Sequence, residues 1–251
     1  MQEERITSSK NPLIQHIRKL QTSHSYRISC GEFVADGKKL LQEAIRYYPE
    51  ITTVIISDGV DYPQLPQETR VVHVPDSLMQ SLSSMRTPQG VIFCCRLPQP
   101  AALSIHGKML LLDRIQDPGN LGTILRTADA FDIPVVLTNG CADPYGEKTV
   151  RASMGAVFRT VPQIAALEEV LSYCRQHQVG IAATTLSDRP EDIQNVDLSN
   201  YLVAIGSEGQ GICDELIEAS DRQIIIPMNP RCESLNAAVA ASIVMWEMKT
   251  K

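Results

Sequence analysis

The residues best suited to chemistry lie in two loops near the end of the chain. The first is Gly206-Ser207-Glu208-Gly209-Gln210-Gly211, directly after the apolar run Leu202-Val203-Ala204-Ile205. The second runs from Asn229 through Glu233-Ser234-Leu235-Asn236, directly after Ile224-Ile225-Ile226-Pro227-Met228. Glycines leave backbone N–H and C=O groups open to a closely approaching ligand, and Glu208, Ser234 and Asn236 add directed polar groups. Buried strands that each end in such a loop describe a pocket for a small molecule at the carboxyl ends of a sheet. Glycines that only serve turns are the plainer reading of either loop alone, and two loops in succession weigh against it.

The third stretch is Leu111-Leu112-Asp113-Arg114-Ile115-Gln116-Asp117-Pro118-Gly119-Asn120, continuing through Gly122 to Arg126-Thr127-Ala128. An apolar run ends in a polar loop and a helix is expected over Leu121–Phe131, opening at Asn120, with Arg126 about two turns along. Taken in isolation these two residues read as a helix cap and a surface arginine.

The elements that position these loops alternate along the second half of the chain. Strands are expected at Met109–Leu112, Val135–Thr138, Val157–Val161 and Gly180–Thr184, and helices at Glu147–Met154 and Leu167–His177. A last helix is expected from an N-cap at Ser234, with Leu235, Val239, Ile243 and Trp246 at helical spacing. Such alternation predicts an α/β fold with a mostly parallel sheet covered by helices on both faces. Upstream, a smaller α/β unit reads as a helix over Asn11–Leu20, a strand at Phe33–Ala35, a helix over Gly37–Tyr48, strands at Ile51–Ser57 and Arg70–Val74, a helix over Ser77–Ser84 and a strand at Gly90–Cys95. The Pro-rich Leu97-Pro98-Gln99-Pro100-Ala101-Ala102 is the best linker, which places domains at 1–98 and 99–251.

Composition narrows the function. With 251 residues, 43% hydrophobic and 21% charged, the chain is an ordinary globular protein. Its apolar runs are strand-length, and the Met1-Gln2-Glu3-Glu4-Arg5 start is not a secretory signal, so a cytoplasmic protein without membrane attachment is expected. Seven cysteines without a Cys-x-x-Cys pair, and five histidines without ligand spacing, argue for reduced thiols and no metal. The net charge of −6 argues against indiscriminate nucleic-acid binding. Yet Ile6 to Gly31 carries Lys10, Arg18, Lys19 and Arg27 and no acid, a solvated face in the plain reading and a phosphate-binding patch if an RNA partner is called for.

Asn120-x-Gly122-x-x-x-Arg126-Thr127, then Gly206-Ser207-Glu208-Gly209-x-Gly211, then Ile226-Pro227-Met228 to Glu233-Ser234-Leu235-Asn236 resemble the three ordered motifs of the SpoU/TrmH branch of SPOUT methyltransferases. Ser9-Lys10-Asn11-Pro12 and Gly31-Glu32-Phe33 to Gly37 resemble the accessory RNA-binding domain of that family. Lys148 to Ala156 resembles the basic segment that follows the second strand of its catalytic domain. The resemblance implies a homodimer with a deep trefoil knot that uses S-adenosylmethionine to methylate a ribose 2′-hydroxyl in RNA, with 23S ribosomal RNA ahead of transfer RNA. It implies a cofactor site at Ile205, Gly206, Gly209, Ile226, Met228, Ser234 and Leu235. It implies a catalytic network of Asn120, Arg126, Glu208, Ser234 and Asn236, and RNA contacts at Lys10, Arg18, Lys19, Arg27 and Arg151. Ser207, Asp132 and Pro230 depart from the usual asparagine, glycine and glycine of the motifs. A dinucleotide oxidoreductase is disfavoured because Gly206 to Gly211 lies too late in the chain for the first turn of a βαβ unit. An RNA-binding protein that kept only the fold is the remaining rival.

Overall fold

The computed structural model describes residues 3–185, 190–207 and 209–250. It divides into two compact units, Met1–Gln99 with Tyr145–Arg159, and Pro100–Pro144 with Thr160–Lys251.

The first unit begins with β1 (Glu3–Arg5), α1 (Pro12–Thr22) and α2 (His24–Cys30). It continues with β2 (Glu32–Asp36), α3 (Lys38–Tyr47), β3 (Ile51–Ser57), β4 (Arg70–Val74), α4 (Asp76–Leu82) and β5 (Val91–Arg96). Asn11 caps α1 by accepting from the Leu13 amide at 2.9 Å, with Pro12 filling the first turn, where its missing N–H costs nothing. Ser23 ends α1 and caps α2, accepting from the Tyr26 amide at 3.2 Å. This second helix has no counterpart in the sequence expectations. The five strands form a mixed sheet in the order β1-β4-β3-β5-β2. Ile14, Ile17 and Leu20 of α1 and Leu78, Met79 and Leu82 of α4 bury against Val34, Ile55, Val72 and Ile92.

The second unit carries β6 (Met109–Asp113), α5 (Pro118–Phe131) and β7 (Val135–Thr138). The chain then returns to the first unit for α6 (Glu147–Ala152). It re-enters the second with β8 (Gln163–Ala165), α7 (Leu167–His177), β9 (Gly180–Thr184), β10 (Glu191–Asp192), β11 (Tyr201–Gly206), α8 (Asp214–Glu218), β12 (Arg222–Ile225) and α9 (Ala237–Thr250). The seven strands pair in parallel throughout, in the order β10-β12-β9-β11-β6-β7-β8. From β6 the chain winds outward through β7 to β8, crosses to β9, and later places β11 between β9 and β6. The reversal at β6 and β11 is the switch point at which parallel sheets open a crevice beyond their carboxyl ends. Alternate residues of β6, β9 and β11, among them Met109, Leu111, Ile181, Ala183, Leu202 and Ala204, bury with Val170, Cys174 and Leu216 of α7 and α8. Both faces of the sheet are covered, as continuous apolar strands require.

Three expectations are corrected. The stretch 157–161 is no strand: after Gly155, at φ +90°, Ala156–Phe158 make a 3-10 turn, and β8 lies further on. The turn carries Phe158 into an aromatic cluster of the first unit, 6.2 Å between ring centroids from Phe33 and 5.7 Å from Tyr48, and Tyr145 approaches Phe33 at 5.1 Å. Helix α5 starts at Pro118 rather than at Asn120, because Asp117 caps it by accepting from the Asn120 amide at 2.7 Å. Helix α9 starts at Ala237 with the Asn236 side chain, not Ser234, accepting from the amides of Ala238 at 2.9 Å and Val239 at 3.3 Å. The apolar series read there does not mark the buried face: Val239 and Trp246 are 49% and 55% exposed, and Ala237, Ala238, Ala241, Val244, Met245 and Met248 are the buried residues.

Candidate active site

The loop after β11 owes its shape to Gly206. The chain folds back so that Ser207 and Gly211 bridge, Ser207 N–H to Gly211 O at 3.1 Å and Gly211 N–H to Ser207 O at 2.9 Å. A Cβ on Gly206 would lie 2.1 Å from the carbonyl carbon of Gly211 and 2.2 Å from the Ile212 nitrogen, so only glycine fits. Gly211 itself, at φ +67°, closes the turn in the left-handed region. Gly209 faces open space, with nothing within 4 Å of where a Cβ would stand.

This turn, the carboxyl ends of β9 and β12 and the loop before α9 enclose a cavity of about 730 Å³. All seven residues expected to hold a cofactor line it: Ile205, Gly206, Gly209, Ile226, Met228, Ser234 and Leu235. The volume lies within the range of nucleoside-sized ligand sites, and the lining combines aliphatic walls with open glycine backbone, as an apolar pocket that binds through main-chain groups requires. The fit to a compact nucleoside cofactor is therefore good.

An ion pair between the buried Asp113 and the half-buried Arg114 braces the turn from below. Asp113, at the end of β6 and 2% exposed, accepts from Arg114 Nε at 3.2 Å and Nη2 at 3.1 Å, from Thr138 Oγ1 at 3.2 Å and from the Cys213 amide at 2.9 Å. Arg114 reaches on to Gln210 Oε1 at 3.2 Å, and the Asp113 carboxylate raises its pKa. One carboxylate thus ties β6, β7 and the glycine turn together. The sequence reading gave Asp113, Arg114, Thr138 and Gln210 no role. A charged pair closing the apolar run Met109–Leu112 was the available clue, but its partners at 138, 210 and 213 are contacts of the folded chain only.

The expected catalytic residues separate into groups. Asn236 Nδ2 donates to Asn120 Oδ1 at 3.0 Å, joining the start of α9 to the first turn of α5. This pair, with Thr123, Val239, Ser242, Ile243 and Trp246, lines a shallow groove on the outer side of α9 rather than the larger cavity. Ser234 is in the cavity wall. Arg126 is on neither surface: six residues past Asn120 it points about 240° around the helix, is exposed, and makes no hydrogen bond or ion pair among the described residues. Glu208 lies outside the described residues. Asp132 takes the left-handed C-cap position of α5 at φ 57°, a conformation aspartate tolerates, which accounts for its standing where glycine is usual.

Among the expected RNA contacts, Lys10 and Lys19 are exposed on or beside α1. Arg18 donates to Ser81 Oγ at 3.3 Å, and Arg151 of α6 donates to Ser84 Oγ at 2.8 Å. Arg27 is corrected: it is 5% exposed and donates to the Leu20 carbonyl, so its guanidinium binds the end of α1 instead of facing solvent. Among the described residues no group of three potential metal ligands is found, and no helix is long and apolar enough to cross a membrane.

Residues 107–246 match the family model of the SpoU rRNA Methylase family, and residues 11–92 match that of an MRM3-like substrate binding domain. The chain is 29% identical over 246 residues to the 23S rRNA (guanosine(2553)-2′-O)-methyltransferase RlmP of Bacillus subtilis, covering 97% of this chain and 98% of that one. It is 30% identical to an AdoMet-bound rRNA methyltransferase from Sinorhizobium meliloti, whose crystal structure superposes with a TM-score of 0.88 over 100% of this chain and 98% of that one. A solved RNA 2′-O ribose methyltransferase shares 27% identity at a TM-score of 0.80, covering 97% of each chain.

Proposed function

The chain belongs to the SpoU rRNA Methylase family, and from that premise we propose that it transfers a methyl group from S-adenosylmethionine to a ribose 2′-hydroxyl of 23S ribosomal RNA. The observation that carries this reading is the cavity at the carboxyl ends of β9, β11 and β12, whose lining contains every residue the family resemblance assigns to the cofactor.

When bound, S-adenosylmethionine supplies an electrophilic methyl group on a sulfonium. The protein's task is to hold the 2′-oxygen in line with that methyl and to manage one proton. Ile205, Ile226, Met228 and Leu235 give the cavity apolar walls that exclude water, while the turn at Gly206 to Gly211 offers backbone groups at close range. The Asn120–Asn236 hydrogen bond sets the start of α9, and with it Ser234 and Leu235 of the cavity wall. Ser234 adds a polar group to the cavity wall beside the reacting ribose, and Glu208 is assigned to the same surroundings by the family resemblance. Arg126 binds and orients the RNA phosphate; a guanidinium stays charged at neutral pH, which suits it to this task better than to removing a proton.

Arg126 reaches a cavity only through a second copy of the chain. Helices α5 and α9 pack on each other, and their outer surface leaves Val239 and Trp246 exposed beside Asn120 and Ser242. A homodimer paired on this surface covers the apolar residues, and Arg126, exposed on the same helix α5, is assigned to the partner's cavity. The loop from β12 to α9 forms the trefoil knot. The first unit is the RNA-binding part, with Lys10, Arg18, Lys19 and Arg151 as phosphate contacts; the division expected at 1–98 and 99–251 differs from the two units in that Tyr145–Arg159 packs with the first. The protein works in the cytoplasm, where its free cysteines stay reduced.

The test is to incubate the protein with radiolabelled S-adenosylmethionine and, in parallel, 23S transcript, assembling large subunits and transfer RNA. Label in the 23S species supports the assignment; label confined to transfer RNA redirects the substrate, and none in any RNA refutes the activity.

A further inference from the structure

Tyr26 of α2 stands at the surface of the first unit, yet its hydroxyl is fixed by a chain of side chains. His16 Nδ1 lies 2.9 Å from the Tyr26 oxygen, His16 Nε2 lies 2.9 Å from Glu32 Oε2, and the Thr52 hydroxyl donates to Glu32 Oε1 at 2.8 Å. The rings of His16 and Tyr26 meet edge on at 5.5 Å, and the Lys19 ammonium sits 5.4 Å from the Tyr26 ring centroid. His16 and Glu32 side chains are 24% and 23% exposed, so the chain runs inward from the surface to β3.

The direction of these bonds follows from what each group can do. A carboxylate only accepts, so Glu32 takes a hydrogen from Thr52 on one oxygen and from His16 Nε2 on the other. A neutral imidazole then offers its Nδ1 lone pair to the phenol hydrogen, whereas an imidazolium donates Nδ1–H to the phenol oxygen; in either form that oxygen keeps a lone pair. A contact with the Cys30 thiol, and then burial, raise the Tyr26 pKa, so the group stays a phenol at neutral pH. A fixed acceptor beside an exposed ammonium matches two neighbouring features of an RNA strand, a ribose 2′-hydroxyl that donates and the phosphate next to it.

We propose that Tyr26, oriented by His16, Glu32 and Thr52, accepts a hydrogen bond from a ribose 2′-hydroxyl of the RNA substrate while Lys19 pairs with the adjoining phosphate, so that this site distinguishes RNA from DNA. The proposal rests on the reading of the first unit as the RNA-binding part and adds how that unit recognises ribose.

The experiment measures binding of the full-length protein to a fluorescent 30-nucleotide single-stranded RNA pool and to a DNA pool of matched random sequence, by anisotropy at several salt concentrations. The wild type prefers RNA. Tyr26→Phe keeps the ring, loses the acceptor and weakens RNA binding by about fivefold, the scale of one hydrogen bond, with DNA binding unchanged. Lys19→Ala weakens both and lowers the salt slope by about one. Equal RNA affinity in wild type and Tyr26→Phe, or equal losses on RNA and DNA, overturns the proposal while leaving the RNA-binding reading intact. A wild type that binds neither pool overturns both.

Discussion

Replacing Gly206 by alanine puts a methyl group where the chain turns back on itself. The new Cβ would stand 2.1 Å from the carbonyl carbon of Gly211, 2.2 Å from the Ile212 nitrogen and 2.4 Å from the Gly211 oxygen. Carbon atoms in ordinary contact are about 3.5 Å apart, so the turn must retreat by roughly 1.4 Å. Both bonds of the Ser207–Gly211 bridge, now 3.1 and 2.9 Å, would then exceed hydrogen-bonding distance. Overpacking costs about 1–3 kcal/mol and each lost hydrogen bond about 1 kcal/mol. A total near 3 kcal/mol, falling on the cavity-forming conformation, weakens S-adenosylmethionine binding by roughly 100-fold. Isothermal titration calorimetry reads this directly, with thermal unfolding as the check on folding. Gly209→Ala is the paired control: its Cβ meets nothing within 4 Å, so the melting temperature stays at the wild-type value. A Gly206→Ala protein that binds S-adenosylmethionine as tightly as the wild type refutes the reasoning.

Asp113→Ala leaves the Arg114 guanidinium, the Thr138 hydroxyl and the Cys213 amide without their common acceptor; the expected loss is about 3 kcal/mol, read as a fall in denaturant midpoint at unchanged slope. Asp36, 5% exposed, has its pKa raised by burial, with one carboxylate oxygen held by Ser83 and the other without a hydrogen-bond partner. A raised folded-state pKa means that the native state binds the proton more tightly than the unfolded chain, so the ionised group costs stability above that pKa. Asp36→Asn therefore melts higher than wild type at pH 7, and the difference shrinks as the pH falls through the raised value towards the ordinary 3.8; a lower melting temperature at pH 7 contradicts this. Arg126→Ala retains S-adenosylmethionine affinity in calorimetry and loses at least about 100-fold in methyl transfer, the scale of one charged group acting on a reacting centre.

The cavity that the seven expected residues line was legible because each of its two loops directly follows an apolar strand. Apolar strands ending in Gly206 to Gly211 and in the Ile226 to Leu235 loop announce themselves by composition, and their places on either side of β9 in one parallel sheet bring the two loops to the same edge. The helix over Leu167–His177 and the strand at Gly180–Thr184 fall where periodicity alone puts them. What stayed hidden depends on contacts distant in sequence. Arg27 reads as one more cation of a basic stretch, but the turn at Ser23 swings it inward to the Leu20 carbonyl. Residues 145–159 read as part of the alternating sheet, whereas Phe33 and Tyr48, more than a hundred positions upstream, gather Phe158 into their own core. Helix starts shifted by up to three residues because Asp117 and Asn236 outcompete Asn120 and Ser234 for the free amides. Arg126 is the instructive case: the motif singles it out, and within one chain it touches neither the cavity nor the Asn120–Asn236 pair.

The central claim is that a methyl group is placed on ribose oxygen. It is tested most directly by digesting the labelled 23S RNA to nucleosides after reaction and identifying the methylated product by mass spectrometry. A 2′-O-methylnucleoside, resistant to alkaline cleavage at its 3′ phosphate, is the predicted result. A methyl group on the base, with the ribose unmodified, would contradict the account.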